Sequence, residues 1–306
     1  MNSLPFKQTI KSSLHSFGLY ARRLRRDKFP GVLVLAYHGI PDDDLPNGSL
    51  PFGNLHVRAG EFEAHCRLLK EFCHPISAED LRQARNQKLA LPDRPVLMTF
   101  DDGYRSVYTN ASPILKKYGI PAVFFVCSEP VEQRQLLWYD AMAKEFGEAE
   151  VENAKYMNFD EWDKRRQELH RNISDDDPCA PMTMAEVKEL AEAPGFEIGD
   201  HTAFHLILSR VGLEQQRTEL ARNRAVLESW TGRSLRSFAY PNGRRVDDYS
   251  AETVELVKET GFDLAFTTNE GFAHPETNPL ELSRFMMLAG ISAAELAHRI
   301  CYSWRK

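Results

Sequence analysis

Parallel strands joined by helical crossovers, an α/β fold, are predicted by two features of this sequence. Short apolar runs rich in β-prone residues recur along the chain, and stretches of helical character separate them. After Pro30, the run Val32-Leu33-Val34-Leu35-Ala36-Tyr37 is continuously apolar, as a strand buried on both faces requires, and it ends at His38-Gly39. Val96 to Phe100, Ala122 to Cys127, Phe238 to Tyr240 and Leu264 to Thr267 repeat the pattern. Leu213 to Trp230 and Ala251 to Thr260 read as helices between strands. Strand-then-helix order implies right-handed crossovers onto parallel neighbours. An open doubly wound sheet and a closed barrel both satisfy that order, so the choice falls to the motifs.

With 306 residues, the chain can bury the core of one large α/β domain. Hydrophobic residues make up 42% and charged residues 27%, the balance of an ordinary globular protein without low-complexity tracts. A formal net charge of -6 argues against nucleic acid as a partner, because phosphate binding needs concentrated positive charge. Cys66, Cys73, Cys127, Cys179 and Cys301 contain no CxxC pair, and their odd number suits reduced thiols better than a disulfide framework. The first residues lack the apolar h-region of a signal peptide and the length of a membrane span, so the expected location is cytoplasmic.

Residues 1–29 form a separate basic, amphipathic segment ahead of a domain over 30–306. Phe6, Ile10, Leu14, Phe17, Ala21 and Leu24 recur at three- and four-residue spacing, flanked by Lys7, Lys11, Arg22, Arg23, Arg25, Arg26 and Lys28. Two placements fit: peripheral contact of residues 6–28 with an anionic inner-membrane face, or docking on the protein's own body. Between about 129 and 181 the pattern weakens and acidic residues accumulate, with Asp175-Asp176-Asp177-Pro178 reading as a loop. This insertion is read either as one wall of a cleft or as a solvated excursion. Its Trp138, Tyr139 and Asp140 suit a sugar platform or core packing.

Thr99-Phe100-Asp101-Asp102-Gly103-Tyr104 places two carboxylates where an apolar strand ends and a glycine turns the chain. Adjacent carboxylates repel, so a metal ligand beside a free base is a coherent pairing, although the letters also read as an ordinary Asp-Asp-Gly turn. His201-Thr202-Ala203-Phe204-His205 spaces two imidazoles four residues apart. On a helical turn both would reach one ion, and two nitrogens plus a carboxylate oxygen leave coordination positions open, as catalysis needs. The same spacing is compatible with two surface histidines.

Taken together and in this order, the motifs resemble the polysaccharide deacetylase family, also called the NodB homology or carbohydrate esterase family 4 group. The resemblance spans roughly Val32 to Met287. It rests on TFDDGY at 99–104, HTAFH at 201–205, FAYPNGR at 238–244, LSRFMM at 282–287 and the opening LAYHGI at 35–40. It implies a distorted (β/α) barrel of about seven parallel strands with its site at the strands' C-terminal ends. It also implies a metal-dependent hydrolase that removes an N-acetyl group from an amino sugar in a cytoplasmic or lipid-linked glycan, as in surface-polysaccharide or O-antigen assembly. By matching position, Asp101 is the general base, and Asp102, His201 and His205 bind a divalent metal. Zinc is the first choice, with cobalt, nickel, iron or manganese compatible.

The third motif departs from the family's common pattern. Where many relatives carry an arginine that orients the base, this chain has Ala239-Tyr240-Pro241-Asn242-Gly243. Arg284 is the candidate replacement, and His38 the candidate general acid. Asn242 and Tyr240 fall where substrate or oxyanion contacts are expected. Against these stand blander roles: a core histidine, a surface ion-pair arginine and a Tyr-Pro turn. A catalytically silent sugar-binding barrel and an amidase on a non-sugar amide are the competing functions.

Overall fold

The run after Pro30 becomes strand β1, Leu33–Tyr37, in the computed structural model, which describes residues 18–174 and 176–305. The remaining strands are β2 His74–Pro75, β3 Pro95–Phe100, β4 Ala122–Val126, β5 Phe196–Asp200, β6 Ser237–Ala239, β7 Leu264–Phe266 and β8 Phe285–Met286. They lie in the order β7-β6-β5-β4-β3-β1-β8, with β2 a short partner of β3, and every pairing between them is parallel.

The sheet curls back on itself through the chain leading into β8. Leu282 donates its N–H to Ala265 O at 2.8 Å and accepts one from Thr267 at 2.9 Å, which ties it to β7. Three residues later Phe285 is paired with Leu35 of β1. A distorted (β/α) barrel of seven principal parallel strands results, as expected. Two-sided burial explains the unbroken apolar runs: Leu33, Leu35 and Tyr37 join the cluster shared with the helices, whereas Val32 and Val34 join a second cluster with Leu97, Val123, Phe125, Ala239 and Phe266.

Register then fixes where the chemistry emerges. Tyr37 pairs with Phe100, Val126 with Asp200, and Ala239 with Phe266. His38, Asp101, His201 and Tyr240, each the next residue in its chain, therefore leave the sheet at one rim, the C-terminal end of the strands.

The helix predicted over Leu213 to Trp230 is observed as Leu213–Thr231, and Gly232, with φ 65°, supplies the left-handed stop. The segment around 129–181, read as an insertion of weakened pattern, is largely helical. It contains the helices Ser128–Gln133, Trp138–Phe146, Glu148–Ala154 and Phe159–Glu168. These are short and rich in charge, so their apolar positions are too few to register as periodicity. They pack around a satellite core that includes Leu137, Trp138, Met142, Val151 and Trp162.

At the N-terminus, Leu19–Arg26 is a helix whose Tyr20 and Leu24 are buried. It rests against the helix Ala293–Cys301, with Tyr20 Oη 3.1 Å from His298 Nδ1. For these residues docking on the protein's own body is the observed placement. The rest of the predicted stripe, at positions 6, 10, 14 and 17, lies outside the described residues. Among the described residues no helix is long and apolar enough to cross a membrane. All five cysteines are buried.

Candidate active site

Four side chains from two strand ends converge at the rim. Asp101 and Asp102 follow β3, and His201 follows β5; all three are buried. His205 reaches the same point from four residues further on. The expected helical turn is absent there: residues 201–207 are a loop, with Thr202 at φ 60° and His205 at φ 56°. Positive φ interrupts any helix, so the two imidazoles converge through an irregular backbone and not through helical spacing. Asp102 at φ 77° and Asn242 at φ 59° share this unfavourable region. Non-glycine residues of this kind cost about 1–3 kcal/mol each and persist only where their surroundings hold them.

Those surroundings are polar and well connected. Asp200 Oδ1 accepts from the Thr202 N–H and from Asn223 Nδ2, both at 2.8 Å. Asn223 Oδ1 also accepts from the Ser128 N–H at 2.9 Å, joining the loop ends after β4 and β5. Thr202 Oγ1 takes the Leu206 N–H at 2.9 Å, which closes the loop on itself.

His201 Nδ1 lies 2.7 Å from the carbonyl oxygen of Ala239. A carbonyl can only accept, so Nδ1 carries a proton, and in the neutral form of the ring Nε2 turns a lone pair toward Asp102. Nε2 of His201 is 3.3 Å from Asp102 Oδ1, and Nε2 of His205 is 3.5 Å from the same oxygen. That oxygen is buried without a hydrogen-bond partner. Lone pairs facing one another at these distances repel unless a cation lies between them. Tetrahedral ligation with bonds of about 2.0–2.1 Å sets donor atoms about 3.3 Å apart, so Asp102, His201 and His205 fit a divalent metal. Among the described residues, this is the group whose ligand atoms all fall within 4.8 Å of one another.

Protonation follows from the same contacts. Burial pushes His205 down to about 3, partly offset by Asp102 and reinforced by His201 and Lys155, so its ring is neutral and able to ligate. For His201, burial is outweighed by Asp102 and Asp101, and the balance raises it. Burial also opposes ionisation of Asp102, yet the imidazoles of His201, His38 and His205 hold it well below the carboxylate range.

Asp101 does not join the cluster. Arg284, completely buried, donates Nη1–H to its Oδ1 and Nη2–H to its Oδ2, each at 2.7 Å. The guanidinium is itself fixed by Nε–H to Thr267 O at 2.9 Å and Nη1–H to Thr99 Oγ1 at 3.1 Å. Burial alone would raise the Asp101 pKa, but Arg284, with His201, overcomes it and lowers it. The arginine missing from the third motif is thus supplied here from β8's side of the barrel.

His38 stands beside the carboxylates, its Nε2 3.8 Å from Asp102 Oδ2, with 12% of its side chain exposed. Its Nδ1 is buried and has no hydrogen-bond partner. Tyr240 and Asn242 line the same cavity, of about 520 Å³. The Tyr240 hydroxyl is committed to Leu280 O at 3.0 Å, and its ring stacks on Tyr249 at 4.0 Å, so it offers the cavity a ring and not a donor.

The insertion supplies the opposite wall. Trp138 and Tyr139 are buried and line the cavity, joined by Lys155 and Tyr156, while Arg210 closes the side. Tyr139 packs edge-on to His205 with ring centroids 5.0 Å apart. The Tyr104 hydroxyl donates to Asp140 Oδ2 at 2.8 Å and lies 3.1 Å from the Tyr139 hydroxyl. Trp138 and Tyr139 perform the core-packing role read for them and also line the cavity. Asp200, Asn223, Tyr156 and Arg210 escaped the sequence reading because each acts through a contact that no local pattern records.

The family model described as polysaccharide deacetylase matches residues 88–265, more than half of the chain. The chain is 24% identical over 272 residues to YxkH of Bacillus subtilis (strain 168), covering 89% of this chain and 76% of that one. It is also 24% identical over 265 residues to the poly-beta-1,6-N-acetyl-D-glucosamine N-deacetylase of Staphylococcus aureus (strain MSSA476), covering 84% and 78%. Among solved structures, the Streptococcus pyogenes deacetylase PplD in complex with acetate superposes with a TM-score of 0.65 at 24% identity, covering 88% of this chain and 97% of that one. The rim of converging carboxylates and imidazoles and the match across most of the barrel agree: this chain belongs to the polysaccharide deacetylase family.

Proposed function

We propose that this protein is a metal-dependent N-deacetylase that hydrolyses the N-acetyl group of an amino sugar within a cytoplasmic or lipid-linked glycan. The observation that carries the reading is the pairing of an Arg284-clamped Asp101 with an adjacent Asp102–His201–His205 cluster. One carboxylate is kept as a base while its neighbour is left to a cation. The Staphylococcus aureus relative's action on poly-beta-1,6-N-acetyl-D-glucosamine supports a glycan substrate.

Asp102, His201 and His205 would hold the metal, zinc first among candidates. When bound there, it supplies Lewis acidity toward the amide carbonyl and toward a water molecule. Asp101, ionised and aligned by the Arg284 fork, takes the proton from the attacking water. Collapse of the tetrahedral adduct requires a proton on the departing nitrogen; His38, whose Nε2 lies 3.8 Å from Asp102 Oδ2, is the donor in this reading. Asn242, in its left-handed conformation on the cavity wall, is where a backbone donor would meet the developing oxyanion.

Membrane-peripheral action at the inner face belongs to the same reading. It is supported by the basic run Arg22 to Lys28 and the apolar residues spaced ahead of it.

The test is acetate release from a panel of acetylated amino sugars, glycans and simple amides, by protein as purified, after chelation, and after restoring zinc. Release from the sugars, lost on chelation and regained with zinc, is expected; Asp101→Asn should abolish it while metal stays bound. Release from the simple amides alone would replace the sugar reading. Ligand binding without release would leave a sugar-binding barrel.

A further inference from the structure

His205 holds a left-handed backbone conformation, uncommon for a residue other than glycine, and contacts from outside the loop add to those within it that hold it there. Much of what touches this loop from outside comes from the insertion. Phe204, the residue before His205, lies between two guanidinium groups: Arg166 with its Cζ 4.2 Å from the ring centroid, and Arg222 at 4.6 Å. Trp138 Nε1–H points at His205 O at 3.5 Å.

Arg166 is not a free surface cation that happens to cover a ring. It is buried, and its Nη1–H donates to Glu129 Oε1 at 3.0 Å. Glu129, 1% exposed, is gripped on both oxygens by Arg171, at 2.8 Å and 2.6 Å. Asp163, one turn earlier in the helix Phe159–Glu168, holds the other side of Arg166 at 2.6 Å and 3.0 Å. The backbone of Glu129 touches the same loop, donating its N–H to Ala203 O at 3.1 Å. A single residue thus anchors the loop with its backbone and the arginine that covers the loop with its side chain.

Energetics favour a positioning role over simple cohesion. A cation over an aromatic face gains more when desolvated than when exposed, so buried Arg166 outweighs exposed Arg222. Arg166 makes no hydrogen bond to the metal-site side chains themselves. What it restrains is the ring one residue away, and with it the direction in which His205 leaves the loop.

We propose that Arg166, held by Glu129 and packed on Phe204, is a positioning residue for the metal centre, setting His205 in ligating geometry. The insertion is on this view a built part of the metal site as well as a wall of the cavity. The inference rests on the metal reading of Asp102, His201 and His205, and its test separates the two.

Zinc affinity is measured by competition with a chromogenic chelator for the full chain, its Arg166→Met and Phe204→Leu variants, and Arg222→Met. Arg166→Met leaves Glu129 still paired with Arg171, so the fold is expected to hold, and thermal unfolding of chelated protein checks that it does. Weakening of zinc binding by about 10–100-fold is expected for Arg166→Met, the range typical of groups that orient ligands. Phe204→Leu should match it, and Arg222→Met should fall well short. Excess zinc should return kcat toward the parent value. The zinc-induced rise in Tm should shrink while the Tm of the chelated protein stays close to that of the parent.

If the parent itself binds no zinc, cobalt, nickel, manganese or iron, the metal reading falls and this inference with it. If the parent binds and Arg166→Met and Phe204→Leu bind equally well, the positioning role alone is overturned. Should Arg166→Met unfold, Phe204→Leu decides the matter by the same two measurements.

Discussion

Arg284 and Asp101 meet through two parallel hydrogen bonds of 2.7 Å although 183 positions separate them in the chain. The fork does more than neutralise a buried charge. Its planar geometry fixes the carboxylate plane, and its own anchors on Thr267 and Thr99 leave it no alternative position.

Replacing Arg284 with methionine removes the charge that overcomes burial of Asp101. Burial then raises the carboxyl's pKa, so a larger fraction of the base is protonated at any given pH. The acid limb of the kcat/KM profile is expected to move to higher pH, and activity at pH 7 to fall by at least about tenfold. Lysine in its place keeps the charge but loses the fork. Arg284→Lys should therefore retain the acid limb near its original position and still lose kcat. A methionine variant whose acid limb does not move would show that Arg284 does not set the ionisation of Asp101.

His65 makes a stability prediction away from the site. It is buried, with Nε2–H donating to Ile291 O and Nδ1 accepting from the Tyr37 hydroxyl at 3.2 Å, an arrangement that only the neutral ring can make. Burial pushes it down to about 4 from the ordinary 6.5, with the Ile291 bond working against that shift. Between those values the unfolded chain binds a proton and the folded chain does not, so stability rises with pH. Full stability is present above about pH 6.5, and up to roughly 3 kcal/mol is lost as pH falls through 6.5 toward 4. His56, lowered to about 4 chiefly by burial, adds a contribution of the same sign. Urea unfolding at pH 7 and pH 4.5 should therefore give a smaller pH difference for His65→Gln than for the parent protein. Equal differences would place the linkage elsewhere.

How much of this was legible in the sequence depends on the range of the interaction concerned. Two-sided burial prints itself on consecutive residues, so β1, β3 and β4 are readable as runs. Asp101 and Asp102 directly follow the last apolar residue of β3, and His201 follows the last residue of β5, where register brings them level. His205 is readable as a partner of His201, but by the wrong route, because spacing suggests a helix where Thr202 and His205 adopt positive φ. Arg284 was reachable from the family's motif order, not from its neighbours. Glu129, Arg166 and Asn223 were not reachable at all: each is an ordinary helical or loop letter whose role lies in a contact tens of residues away.

Leu24 tests the placement of the N-terminal helix. It is fully buried, and Arg25 and Lys28 nearby are paired with Glu71 and Asp93. Over residues 19–26 the apolar face is occupied by the protein's own helix Ala293–Cys301. Leu24→Ala should destabilise the fold by about 2–5 kcal/mol, read as a fall in the urea midpoint at unchanged m value. Binding to anionic vesicles, if it occurs, should survive the change and respond instead to Phe6→Ser and Ile10→Ser. Unchanged stability in Leu24→Ala would mean that this helix is not docked in solution.

Tyr156 is the most exposed aromatic ring at the cavity, 73% accessible, and Arg210 braces one face of it with Cζ 4.8 Å from the centroid. A braced ring with its other face open to solvent is a stacking surface for the apolar face of a sugar. It belongs to the insertion wall of the cavity, whereas Asp101 and Asp102 belong to the barrel rim, so an extended glycan is expected to use it more than a single sugar bound at the rim. The expectation is that Tyr156→Ala raises KM for acetylated oligosaccharides by about tenfold, a loss of roughly 1.4 kcal/mol, with kcat little changed. The monosaccharide should respond to the substitution far less, because it lacks the second ring. Steady-state kinetics on a chain-length series from one to five sugars make the comparison, and an equal effect at every length would mean that Tyr156 shapes the wall without contacting the glycan.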